Sequence, residues 1–92
     1  MSARIEETIL ALTTARGHER SICPSEAARA LDPAAWQSQM SAVRRAAVRL
    51  AEAGRIDILR KGRPVDPATV KGVIRLRIRP PSTQEPTEDT DA

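Results

Sequence analysis

The sequence predicts an α+β domain in which three helices precede a small antiparallel β-hairpin. Apolar residues recur at helical spacing through the first half of the chain, then switch to alternation at every second residue beyond Gly54. Proline or glycine stands where one pattern gives way to the next. At 92 residues there is room for one domain with a modest core. Trp36 is the only aromatic residue, so that core is expected to be built from Ala, Val, Ile and Leu.

Helix one is expected from Ala3 to Ala15, where Ile5, Ile9 and Leu12 share a face. Ser2 is placed to cap it, Glu6 and Glu7 to favour its first turn, and Gly17 to stop it. His18, Glu19 and Arg20 form a polar connector, and Ser21-Ile22-Cys23 is a short step able to add a small strand. Pro24 then sits at the first helical position, where its missing N–H costs nothing. With Cys23 as N-cap and Glu26 at capping-box spacing, a second short helix runs from Pro24 to about Leu31.

Asp32-Pro33 repeats the cap-plus-proline start and opens a longer helical pattern from Pro33 to Ala53, in which the sequence leaves open whether the first turn, around Ala34 to Trp36, is separate from the main helix. Trp36, Met40, Val43, Ala47 and Leu50 draw its apolar stripe, with Trp36 and Met40 the bulkiest members of the core. The opposite face collects Ser38, Ser41, Arg45, Arg49 and Glu52, and Arg44 lies on the flank. Beyond Gly54, Ile56 and Ile58 alternate with Asp57, and Ile74, Leu76 and Ile78 alternate with Arg75, Arg77 and Arg79. These two strands flank a link from Lys61 to Gly72, in which Asp66-Pro67-Ala68 predicts one helical turn. Residues 1–79 are therefore the expected domain, and residues 80–92 an acidic, disordered tail.

A short helix, a minimal turn, a longer helix and a basic hairpin follow one another in the order of the winged helix-turn-helix. The residues also carry a resemblance. The series ARG at 15–17, CPSEAARAL at 23–31, Trp36, Met40, VR at 43–44, LAEAGRI at 50–56, KG at 61–62, VDP at 65–67 and KGVIRLRI at 71–78 resembles an uncharacterised bacterial family. That family is catalogued as domain of unknown function 3253. The resemblance covers about residues 5–79 and implies a winged-helix-like fold of small stand-alone proteins, with no activity or ligand attached.

Charge points to the class of partner. The tail holds Glu85, Glu88, Asp89 and Asp91 and no base, so the formal +3 of the chain leaves +7 on residues 1–79. Thirteen of the fifteen basic residues are Arg, whose forked donors match phosphate and carboxylate. On the long helix, Ser38, Ser41, Arg44, Arg45 and Arg49 are placed to enter a major groove, where Arg reaches guanine O6 and N7. On the hairpin, Lys61, Arg63, Lys71, Arg75 and Arg77 are placed to lie on phosphates, with Arg60 and Arg79 nearby. The bland readings are a solvated helix face with Arg49 paired to Glu52, and a charged strand that resists aggregation. Double-stranded DNA is the expected partner; the alternative is a protein-interaction module or adaptor that binds no nucleic acid.

Other classes are disfavoured. One cysteine forms no internal disulfide, and there is no Cys/His cluster for a metal. Cys23 at a helix start invites a nucleophile reading, but a cysteine enzyme needs an oriented base and His18 is the only histidine. No catalytic residue, cofactor or metal is expected. The chain has neither a signal-peptide pattern nor an apolar run near the roughly 20 residues of a membrane span. It is expected to be soluble and cytoplasmic.

Overall fold

In a computed structural model the described residues are 2–79, and for Ser2 the backbone alone. The predicted acidic tail lies outside them. Three α-helices and a three-stranded antiparallel sheet are present: α1 (Ser2–Arg16), α2 (Pro24–Leu31), α3 (Met40–Glu52), β1 (Ile56–Arg60), β2 (Arg63–Pro64) and β3 (Arg75–Ile78). Ser2 is already helical and does not stand outside as a cap, so Glu6 and Glu7 fall beyond the first turn. Gly17 ends α1 at φ +91°, a conformation glycine adopts without strain. Within α1 the buried Thr13 hydroxyl donates to the Ile9 carbonyl at 2.8 Å, so this polar side chain is buried with its hydrogen bond made.

Helix α2 starts as the sequence predicts. Glu26 donates its N–H to the Cys23 carbonyl at 2.9 Å, and its side chain accepts the Cys23 N–H at 3.0 Å. The long third helix is shorter than predicted. Asp32 accepts the Ala35 N–H at 3.1 Å, closing a turn in front of a 3₁₀ segment over Trp36–Gln39, and α3 begins only at Met40. Both the N–H and the hydroxyl of Ser38 donate to the Ala35 carbonyl, which holds the tighter i→i+3 pattern. Residues 32–39 thus replace the minimal turn, and Trp36 leaves the helical stripe. It is half-buried at the rim, with the Arg29 guanidinium 4.6 Å from its ring centroid.

The core is consequently aliphatic at its centre: Ile9, Ile22, Ala27, Ala28, Val43, Ala46, Ala47, Leu50, Ile56, Ile58, Ile74 and Leu76 are buried together. Trp36 and Met40, expected among its bulkiest members, only pack against its edge. Ala27, Ala28, Ala46 and Ala47 have side chains of one methyl each, which lets α2 and α3 approach closely.

The sheet has the order β2-β1-β3, one strand more than the predicted hairpin. Lys61 and Gly62 have φ of +52° and +80°, the signature of a two-residue type I′ turn, and they pair Arg60 with Arg63. At the predicted helical turn at residues 66–68 there is one hydrogen-bonded turn, in which Thr69 donates its N–H to the Asp66 carbonyl at 3.3 Å and the Asp66 side chain accepts the Ala68 N–H at 2.9 Å. β3 pairs with β1 from Ile56↔Ile78 to Leu59↔Arg75. On its other edge Leu76 exchanges two backbone hydrogen bonds of 2.8 Å with Ile22, a single-residue bridge where a short strand was predicted between α1 and α2.

Candidate nucleic-acid interface

The outward side of α3 carries Ser41, Arg45 and Arg49, as the helical period requires, with Val43, Ala46, Ala47 and Leu50 turned inward. Ser41 and Arg45 are exposed, and Arg45 makes no ion pair among the described residues. Arg49 does not pair with Glu52 along its own helix. Its Nε donates to Glu6 of α1 at 2.8 Å, a cross-helix bond that the local i, i+3 rule does not reveal. Ser38 lies outside α3, and its hydroxyl donates to the Ala35 carbonyl at 2.7 Å. It is not part of the helical face on which it was expected.

Arg44 has a different task from its neighbours. Its Nη1 donates to the Gly72 carbonyl at 3.0 Å, spanning from α3 to the loop that precedes β3. Arg60, at the end of β1, donates to the adjacent Lys71 carbonyl. Two guanidinium groups from separate elements therefore hold consecutive carbonyls of one loop. The side chain of Lys71 remains exposed, as do Lys61 in the turn and Arg63 in β2. None of these three makes an ion pair among the described residues.

The strand arginines are less available than alternation suggests. Arg75 donates from Nε to the Ser21 hydroxyl at 2.6 Å and from Nη2 to the Ser21 carbonyl at 3.0 Å. Arg16 reaches the same carbonyl at 3.0 Å and pairs with Glu26 at 2.8 Å. Arg77 and Arg79 share Asp57, at 3.3 and 3.2 Å respectively. Asp57 thereby supplies the counter-charge that relieves the run of like charges along β3. Ser41 and Arg45 of α3 and Lys61, Arg63 and Lys71 are thus left exposed, Arg44 is engaged by the Gly72 carbonyl, and Arg49, Arg75 and Arg77 are tied to partners within the fold.

Sequence reasoning missed three participants. Asp57 was legible, because it lies opposite Arg77 in the strand register. Arg60 as a loop clamp was not, since its acceptor is a backbone carbonyl eleven residues on. Val73, an aliphatic side chain left exposed in the bend before β3, was not legible either, because alternation fixes the direction of side chains only within a strand.

No helix among the described residues is long and apolar enough to cross a membrane. Among the described residues there is also no group of three or more His, Cys, Asp or Glu side chains positioned to share a metal ion. Cys23 is a free thiol, half-buried, and accepts a hydrogen bond from the Ser25 hydroxyl at 3.1 Å. Among curated proteins none matches the chain. A family match, in contrast, runs over residues 2–79, the whole of the described helices and sheet. The chain belongs to the family described as Protein of unknown function (DUF3253).

Proposed function

We propose that this domain is a winged helix that binds double-stranded DNA, with α3 in the major groove and the segment from Arg60 to Gly72 as the wing on the backbone. The order helix, single-residue bridge, helix, helix and then three strands supports the winged-helix reading, with the Ile22 bridge to Leu76 in the place of the first strand of such a sheet. The single observation that carries the DNA reading is the placement of the charge. Lys61, Arg63 and Lys71 stand exposed without an ion pair among the described residues, and Arg44 fastens the loop bearing Lys71 to the helix presenting Arg45. A phosphate backbone suits such a cluster, because each neutralised phosphate releases a condensed counterion and the cations need not repel one another once it is bound.

The test is a fluorescence anisotropy titration of the protein into a duplex of mixed sequence at several salt concentrations. If four phosphates are neutralised, the log–log slope of affinity against salt is about −3.6. Absence of binding at low salt, or binding indifferent to salt, overturns the reading. In that event the fold serves as a protein-docking module, and recovery of one stoichiometric partner over the arginine-bearing face is the expected finding.

A further inference from the structure

Val73 is a large aliphatic side chain that stands 84% exposed to solvent. A single exposed aliphatic is commonplace on a protein surface and by itself means little. Its setting is what distinguishes this one. Ile74 and Leu76 are 2% and 0% exposed, whereas Val73 stands outside the core in the bend that precedes β3. The two residues before it are the pair whose carbonyls are held by Arg60 and Arg44. Gly72 takes φ +86°, a turn that glycine makes readily and that redirects the chain into β3. Val73 is thus presented by a loop fastened on one side by two guanidinium groups and on the other by β3, which Leu76 anchors in the core.

Its neighbours are charged. Lys61, Arg63 and Lys71 are exposed on the same 60–75 segment. A polyanion drawn onto those cations is brought against Val73 as well, and an apolar side chain gains nothing from facing phosphates. It gains by leaving water for the apolar faces of bases, as side chains do that wedge between base steps from the minor groove. We propose that Val73 is such a wedge: it enters the minor groove of double-stranded DNA beside the wing and partly unstacks one base step, while Lys61, Arg63 and Lys71 lie on the flanking phosphates. This rests on the DNA-binding reading above. Unstacking is cheapest at pyrimidine–purine steps, so the wedge favours TA-containing duplexes.

The experiment uses an alternating TA duplex with 2-aminopurine replacing occasional adenines, read by anisotropy for binding and by 2-aminopurine emission for unstacking. The wild-type protein is expected to raise the emission as it binds. Val73→Ala should bind about fivefold more weakly, having less apolar surface to bury, and should leave the emission flat. Val73→Lys adds a cation, so it should bind this duplex at least as tightly as Val73→Ala at low salt and also leave the emission flat. Both variants alter a solvent-facing side chain, and circular dichroism checks that the fold is kept. Wild-type binding without an emission rise overturns the wedge and leaves the DNA reading standing, as does an equal rise in either variant. Absence of wild-type binding at low salt removes both.

Discussion

Residues 2–54, the helical part, and residues 55–79, the sheet part, differ sharply in charge although they share one core. The helical part holds seven basic and six acidic side chains, a formal +1. The sheet part holds eight basic and two acidic ones, a formal +6. Most of the cationic excess of the domain therefore sits in about a third of its residues, and the helices are close to neutral. The pairing follows the same division. Arg16 and Arg49 meet carboxylates from neighbouring helices, whereas Arg77 and Arg79 must share Asp57. The difference teaches that affinity and selectivity, if the domain reads DNA, reside in separate places: long-range attraction in the sheet and its loops, base discrimination on α3.

The most severe way to break the comparison is to remove the seam between the parts. Leu76 is fully buried, pairs with Ile58, and is bonded to Ile22. Leu76→Ala should cost about 3 kcal/mol through lost burial and the cavity left behind, seen as a lower midpoint in urea unfolding. Combined replacement of Lys61, Arg63 and Lys71 by Ala should leave stability within about 1 kcal/mol, because all three are exposed. It should weaken binding to every duplex and reduce the salt slope by about 2.7. A slope unchanged by that triple replacement would place the charge contacts elsewhere.

Arg45→Ala sharpens the contrast from the other side. It should lower discrimination between preferred and unrelated sequences by about 1–2 kcal/mol, with little change in slope, in competition binding. Asp57→Asn has the smallest effect. It releases Arg77 and Arg79, lowers stability by roughly 0.2–1 kcal/mol because the pairs are partly solvated, and tightens duplex binding at low salt. Weaker binding in that variant would mean that Asp57 aims the two guanidinium groups at the duplex.

Much of the fold was legible because the signals are local. The proline and glutamate of residues 24 and 26 define the start of α2, and Ile74, Leu76 and Ile78 mark a half-buried strand, whereas Lys61-Gly62, which the sequence places in a longer link, is a two-residue turn. The start of the long helix is open in the sequence because two local signals compete there. Asp32-Pro33 looks like a helix start, but the Ser38 hydroxyl and the Asp32 carboxylate satisfy the backbone in a tighter turn, and the pattern of apolar residues alone does not choose between them. β2 escaped notice because two residues are too short for alternation to register. Of the site, exposure was readable and pairing was not. Parity places Arg75 and Arg77 outward, yet Ser21 meets Arg75 across 54 positions of sequence and Glu6 meets Arg49 across 43.

The bond between Ile22 and Leu76 also bears on how the chain comes together. Before it forms, the segment after α1 has no strand to lean on, and closing the intervening loop must be achieved against chain entropy. During synthesis the three helices emerge first, with the apolar side chains Ile9, Ala28 and Val43 lacking the sheet that covers them. Cooperative folding then waits for the strand Arg75–Ile78, the final element among the described residues, to leave the ribosome. A domain of this size rich in local helical contacts would otherwise fold early; here the last strand acts as its clasp.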